Sequence, residues 1–291
     1  MTPPDPAPPG FAWPDGSRLA LSLVVNVEEG AERSIAEGDD GPDPVDELGV
    51  AVRKPIRAHG NESNYQYGIR RGAPRVLAAL EEAGAAATWA VCGRALEKAP
   101  WLAEAIMVRG DEPCSHGYRW AFTAFMNETD EREFIARSTA SIEATCGRRP
   151  AGWLSRYLHS EATRRLLIEQ GYAYHMDDYS DDFPFWDRVG ERAIVVLPYA
   201  LDSNDMKFWL SPALTPDMWL DYAKRSFDVL LRESDNSGAR LMSLGLHLRI
   251  IGRPGRIDAL RAFLAHARAH RVWIARREEI AAHFAAQVPR P

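Results

Sequence analysis

Short apolar runs alternate with longer segments of helical period along most of this chain. The first run, LALSLVVNV at positions 19–27, is rich in β-branched and leucine residues, as expected for a buried strand. The longer segments repeat apolar residues every three or four positions, and several end at a glycine. Strands and helices that alternate this many times indicate βα units around a parallel sheet. Their number favours a closed or nearly closed barrel.

The longest segment without either pattern, 28–71, is rich in Gly, Asp, Asn and Glu and contains NESNYQYGIRRG. A loop of that size inside a compact domain commonly serves as a lid or a binding loop. The predicted strands span 19–27, 86–91, 152–155, 173–177, 194–198 and 243–247. The predicted helices span 74–83, 94–108, 130–145, 160–170, 216–233, 256–270 and 277–287.

The composition is that of a globular protein that can bury a large core. The 291 residues are 46% apolar and 26% charged, and barrels of about 250 residues commonly fold as one domain. The 35 basic and 41 acidic residues give a net charge of -6, without a run of five like charges. This balance argues against nucleic acid or an anionic membrane as a partner and favours a small-molecule substrate.

The first residues, MTPPDPAPPGFAWPDG, contain too many prolines and glycines for a helix or a central strand. We therefore expect an extended arm over 1–16, either free or packed on a neighbouring subunit, and a single barrel domain over 17–288. The N-terminus resembles no signal peptide, and the three widely spaced cysteines fit neither a disulfide framework nor a zinc ribbon. These features predict a soluble cytoplasmic protein.

Reactive side chains follow the predicted strands. Glu28 and Glu29 follow the first strand, His116 lies in SHGYRW, Asp177 ends a later strand, and His247 ends the last. Adjacent carboxylates are often solvated, and a histidine in an apolar strand can be a core residue. However, strand ends converge on one mouth in βα barrels, and the coincidence of four such ends favours a catalytic site. The other histidines of strand ends, loops and helix faces are expected to be structural: His159, His175, His266, His270 and His283.

Several long motifs resemble the polysaccharide deacetylase (NodB homology) superfamily, and most of all its allantoinase-like, PuuE-type branch. The resemblance covers nearly the whole chain, from VVNVEEG through SHGYRW and RRPAGWLS to LPYALDSNDMKFW and LMSLGLHLRIIGRPGRIDAL. It implies an α/β fold of the distorted (β/α)7, TIM-like NodB type. It also implies a hydrolase acting on carbon–nitrogen bonds other than peptide bonds.

Metal-dependent members of the superfamily carry an Asp pair after the first strand, one base and one ligand, and a His-x-x-x-His ligand pair. Glu28 and Glu29 match the Asp pair, His116 matches the first histidine, and Trp120 occupies the position of the second. Indole cannot coordinate zinc, and a catalytic zinc generally needs three protein ligands. The allantoinase-like branch has the same departures and is understood to work without metal. The resemblance therefore implies no metal cofactor, although a carboxylate such as Asp177 could complete a zinc site.

A metal-free mechanism needs a base, an acid and a group that stabilises the oxyanion. We expect Glu28 to be the base, with a pKa raised by burial and by repulsion from the neighbouring carboxylate. The resemblance implies that His247, which matches the late Leu-x-His motif, is the proton donor. His116 and backbone amides near Gly117 would polarise the carbonyl, and Trp120 would form a pocket wall.

Without a Lewis acid the substrate should be more reactive than an ordinary acetamide. Hydantoins and cyclic ureides such as allantoin meet this condition, and Tyr67, Arg70 and Asp177 are candidates to orient one. After RRPAGW the chain continues with LSRYLHS, where the allantoinase-like branch tends to have a glycine-arginine turn. The substrate could therefore differ from allantoin, and Arg156 either recognises an anion or points outward.

Two other functions remain open from the sequence. One is metal-dependent N-deacetylation of an acetylated carbohydrate, as in the wider superfamily. The other is a catalytically silent barrel that binds a small molecule. The proline-rich arm and the aromatic segments DDFPFW and MKFWL suggest a homo-oligomer, and the resemblance implies a tetramer.

Overall fold

The computed structural model describes residues 7–43, 55–199, 201–210 and 215–291, without the side chains of 210, 236 and 237. Its strands are β1 Leu19–Val27, β2 Thr88–Val91, β3 Glu112–Ser115, β4 Gly152–Trp153, β5 Tyr174–His175, β6 Phe185–Val189, β7 Arg192–Val196, β8 Arg240–His247 and β9 Trp273–Ile274. Its α-helices are α1 His59–Tyr67, α2 Ala73–Glu82, α3 Gly93–Lys98, α4 Pro100–Val108, α5 Glu128–Cys146, α6 Thr163–Glu169, α7 Asp205–Leu210, α8 Pro216–Ser237, α9 Pro254–Arg268 and α10 Arg277–Gln287. A π-helix, Gly68–Gly72, joins α1 to α2.

The sheet curls into a half-barrel in which seven parallel strands follow the order β7-β5-β4-β3-β2-β1-β8. β6 pairs antiparallel with β7 at the edge, and β9 pairs with β1. Within the described residues, loop backbone bridges β7 and β8, since the amide of Gly245 donates to the carbonyl of Ser203 at 3.1 Å. The expected distorted βα barrel is confirmed.

The central strand β1 sets the position of the site. All nine of its residues are buried, and the boundaries match the sequence prediction. It pairs in parallel with β8 so that Asn26 lies beside His247, and with β2 so that Val27 lies beside Val91. The residues that follow these strands therefore lie side by side at the carboxyl-terminal mouth of the barrel.

Two helical predictions are wrong in detail. The helix predicted over 94–108 is two helices, α3 and α4, because Pro100 has no amide hydrogen and begins a new helix. The segment 28–71, expected to be irregular, contains α1 and most of the π-helix, while 44–54 lies outside the described residues. α1 buries Asn61, Asn64 and Tyr65, so an apolar pattern could not reveal it.

The described part of the N-terminal arm packs on its own barrel. Trp13 is 1% exposed, and its indole donates to the carbonyl of Arg240 at 2.8 Å. Phe11 contacts the ring of Phe183 with centroids 4.9 Å apart. Residues 7–16 are therefore not free, while contact of the arm with a neighbouring subunit stays a prediction, and 1–6 lies outside the described residues. Among the described helices, none has the length and apolar character needed to cross a membrane.

Candidate active site

The carboxylate of Glu28 lies at the centre of the barrel mouth and is 1% exposed. Its Oε1 is 3.4 Å from Nε2 of His116 and 3.5 Å from Nε2 of His247. Its Oε2 is 2.7 Å from Nη2 of Arg249. β1, β3 and β8 thus bring together three of the four residues predicted to be catalytic, and Arg249 joins them from the turn after β8.

The pKa of Glu28 is held well below its ordinary value. Burial raises it, but the charge of Arg249, the charge of His247 and hydrogen bonds from the two imidazoles lower it by more. The expectation of a raised pKa is therefore wrong, because it considered burial and repulsion from Glu29 but no cation. Glu28 is therefore ionised at neutral pH.

His247 is held by Asp205, which the sequence analysis did not single out. Oδ1 of Asp205 lies 2.6 Å from Nδ1 of His247, and Oδ2 accepts the amides of His247 and Ile251 at 2.8 and 3.2 Å. Burial lowers the pKa of His247, but Asp205 and Glu28 raise it to about 9. His247 therefore carries both ring hydrogens at neutral pH, and its Nε2–H is on the side of Glu28.

His116 is oriented by a carbonyl. Its Nδ1 lies 2.7 Å from the oxygen of Leu154, and because a carbonyl only accepts, Nδ1 carries a hydrogen and Nε2 faces Glu28. The amide of Gly117 is directed at the hydroxyl of Ser115, at 3.4 Å. The expectation that the Gly117 amide polarises the substrate carbonyl is therefore not supported.

Glu29 lies behind Glu28 and braces the arginine. Its Oε1 accepts the backbone amide of Arg249 at 3.2 Å and lies 3.4 Å from Nη1 of that residue, while Oε2 accepts the amide of Glu28 at 3.1 Å. Burial raises the pKa of Glu29, Arg249 lowers it and Glu28 raises it, with a result of about 7. Gly68 lets the π-helix approach this carboxylate, since a Cβ there would overlap it. Glu29 thus holds Arg249 and the backbone of Glu28 in place, and its catalytic role stays a prediction.

Trp120 and Arg156 form one wall of the cleft. The guanidinium of Arg156 lies 3.6 Å from the ring centroid of Trp120 and 4.2 Å from that of Phe122. It also pairs with buried Asp43, and Nη1 donates to the carbonyl of Trp120 at 2.7 Å. Arg156 does not point outward, and its buried Nε has no hydrogen-bond partner within the described part of the chain.

Five polar or aromatic residues missed by the sequence analysis also line the cleft: Asn26, Tyr157, Tyr179, Tyr199 and Asn204. The hydroxyl of Tyr199 accepts from the amides of Asn26 at 3.0 Å and Asn204 at 3.2 Å. Tyr157 has a φ of 46°, a strained backbone conformation for a bulky residue that is frequent at functional sites. The cavity volume is about 20 Å³, room for roughly one water molecule.

Three predicted substrate-binding residues lie elsewhere. Asp177 accepts from the amide and hydroxyl of Ser155 at 2.6 and 2.7 Å, so it braces the loop before Arg156. The hydroxyl of Tyr67 accepts from Arg75 at 2.6 Å, and its ring packs under another guanidinium. Arg70 lines a separate cavity behind Glu29. These positions correct the expectation that all three orient the substrate.

The donor set around Glu28 does not fit zinc. The oxygens of Glu29 accept backbone amides, Trp120 offers no lone pair, and Asp177 is bound to Ser155. The donors that could hold a metal ion lie instead on the outer helices: Asp228 on α8, His266 on α9 and His270 just after α9. This holds for the described residues, 7–43, 55–199, 201–210 and 215–291. We therefore derive no catalytic step through a metal.

Comparisons with known proteins agree with the fold and the motifs. The family described as "Polysaccharide deacetylase" matches residues 63–175. A Schizosaccharomyces pombe protein described as a polysaccharide deacetylase is 33% identical over 301 residues, which is 95% of this chain and 93% of its own.

Two solved structures superpose with TM-scores of 0.90 at 37% identity. PuuE allantoinase covers 95% of this chain and 93% of its own, and a Pseudomonas aeruginosa PAO1 protein described as a polysaccharide deacetylase covers 95% and 94%. The chain thus belongs to the polysaccharide deacetylase family, and these relatives support a hydrolase that acts on carbon–nitrogen bonds other than peptide bonds.

Proposed function

We propose that this protein opens a cyclic amide or ureide ring by hydrolysis without a metal ion, and that allantoin is the leading substrate. The observation that carries the proposal is the ionised carboxylate of Glu28 between two imidazoles, with Trp120 in place of a metal ligand. The likeness to PuuE allantoinase over 95% of the chain supports the same substrate class.

In the proposed reaction Glu28 takes a proton from a water molecule as the water oxygen bonds to the ring carbonyl carbon. His247 then gives its Nε2 proton to the departing ring nitrogen as the carbon–nitrogen bond breaks. Asp205 stabilises the imidazolium before this transfer and keeps the ring in place, since its Oδ1 is 2.6 Å from Nδ1. The proton on Glu28 returns to His247 through solvent, which completes the cycle.

The oxyanion and the ring need polar partners in the cleft. We assign stabilisation of the oxyanion to the Nε–H of Arg156. This donor is buried, and the guanidinium that carries it packs against Trp120 and Phe122. His116 lies on the same side of the cleft, with Nε2 3.4 Å from Glu28 and Nδ1 donating to the carbonyl of Leu154. Asn26 and Asn204 are placed to contact the ring.

The size of the cleft also favours a small ring. With space for about one water molecule, it admits a substrate only after side chains such as exposed Tyr179 move aside. An acyl group activated by a ring or by a second nitrogen is a better electrophile than an acetamide, so it can react without a Lewis acid.

The proposal is tested by assaying chelator-treated enzyme on hydantoins, imides and N-acetyl sugars. Glu28→Gln should lower kcat on the ring by about 10²–10⁴, the range for a general base, while leaving ring binding measurable. The matched control is Glu104→Gln, which changes an exposed carboxylate on α4. If Glu28→Gln hydrolyses the ring at the native rate, Glu28 is not the base. Activity confined to N-acetyl sugars with added zinc would instead support metal-dependent deacetylation.

A further inference from the structure

A second cluster of metal-ligating side chains lies on the outer helices, outside the barrel mouth. Asp228 comes from α8, His266 from the last turn of α9, and His270 from the turn that follows. One donor atom of each residue lies within 4.8 Å of the other two, and Nε2 of His266 is 2.8 Å from Oδ1 of Asp228.

We propose that Asp228, His266 and His270 bind one zinc ion that joins α8 to α9. Two imidazole nitrogens and a carboxylate oxygen are a ligand set that zinc accepts, with water in the fourth position. Tetrahedral bonds of about 2.0–2.2 Å place donors about 3.4 Å apart. To bind zinc, His266 and Asp228 therefore move slightly apart from 2.8 Å, and exposed His270 rotates toward them. His270 follows the end of α9, and its ring lies 5.1 Å from that of His266.

The surroundings hold the two imidazoles in place. The ring of Phe227 contacts His266 and His270 with centroids 5.4 and 5.5 Å apart, and the two imidazoles are 5.1 Å from each other. The site is also at the carboxyl end of α9, where the helix dipole gives partial negative charge and favours a cation. Asp228 and His266 are half-buried, so part of their ordering cost is met before metal binds.

This zinc has no role in the proposed hydrolysis. Because it binds the folded chain and links two helices, it raises the melting temperature by mass action. It also means that purified protein contains about one zinc per chain that catalysis does not use. Metal content alone would then misidentify the enzyme as zinc-dependent.

The test is a titration of metal-free protein with zinc chloride by calorimetry, followed by melting at saturating zinc. We expect one equivalent to bind and the melting temperature to rise by roughly 5 °C. His270→Ala, which removes an exposed side chain, should weaken binding at least tenfold and abolish the shift. His59→Ala is the control, because it removes an exposed histidine on α1.

The ring-hydrolysis rate should be the same in His270→Ala and in the native sequence, with or without zinc. Asp228→Asn provides a second variant with the same expected loss of binding. Undiminished zinc binding in both variants would overturn the proposal. Loss of binding in His116→Gln, with binding intact in His270→Ala, would overturn it equally and would place the metal at the barrel mouth.

Discussion

We expect the ion pair between Asp205 and His247 to set the alkaline limit of activity. In Asp205→Asn the first of the two anions that raise the pKa of His247 from 6.5 to about 9 is gone, while Glu28 remains. The pKa of His247 then falls toward 6.5, and a fall as far as 6.5 is a change of about 2.5 units, or about 3 kcal/mol. In that case the protonated fraction of His247 at pH 8 falls from about 0.9 to about 0.03, which predicts a rate up to about 30-fold lower. At pH 6 the loss from this cause is less than about twofold.

The assay is the pH dependence of kcat on the ring substrate, with the pKa of His247 read independently by NMR of the imidazole nitrogens. Asp202→Asn is the matched control. Asp202 is an exposed carboxylate in the same segment, and it accepts a hydrogen bond from the hydroxyl of Tyr222.

The free energy of unfolding offers a second readout that needs no substrate. Because the pKa of folded His247 is raised, its contribution is fully present below pH 6.5 and is lost as pH rises through about 9. The free energy of unfolding of the native sequence should thus exceed that of Asp205→Asn by up to about 3 kcal/mol at pH 6 and by little at pH 9.5. Parallel pH profiles for the two proteins would refute the reasoning.

Two further predictions concern packing and catalysis. Gly72→Ala should lower the unfolding free energy by about 1–3 kcal/mol in urea titrations, because its Cβ would overlap the carbonyl of Leu248. Gly255→Ala, with open space around its Cβ, is the control, and equal stability of the two variants would contradict this packing. Arg156→Lys should lower kcat on the ring about 10²–10³-fold with unchanged pH limits, because an ammonium cannot stack on Trp120, pair with Asp43 and donate to the oxyanion together. An unchanged kcat, with Arg164→Lys as the control, would show that Arg156 does not stabilise the oxyanion.

The sequence was sufficient for the parts of the site that lie directly on the sheet. A buried apolar run identifies β1, and the convergence of strand ends predicts that Glu28, His116 and His247 meet. The start of α8 was also readable, because Thr215 accepts the amide of Met218 ahead of Pro216.

The residues that tune this site were harder to find. Asp205 belongs to α7, a helix of six residues that a loop separates from β7. Neither the strand pattern nor a helical period of useful length therefore points to Asp205. The sequence showed Glu29 beside Glu28, but not that Arg249 would approach Glu28 within 2.7 Å. The sign of the pKa shift depends on that contact and could not be read from chain neighbours.

Side-chain direction explains the remaining errors. Tyr67 and Arg70 come from a segment whose polar composition hides α1 and the π-helix, and these helices turn both side chains away from the cleft. His266 and His270 were expected to be structural from their place on a helix face and a loop edge. The zinc site proposed for them depends on Asp228, which is 38 residues from His266 along the chain.

The central claim is that ring opening at Glu28 proceeds by proton transfer alone. The most direct measurement is the hydrolysis rate of allantoin by His270→Ala protein that has been treated with chelator and shown by elemental analysis to contain less than one zinc per hundred chains. The account predicts the same kcat before and after chelation, and no gain on adding zinc. A rate that disappears with the metal and returns in proportion to added zinc would contradict it.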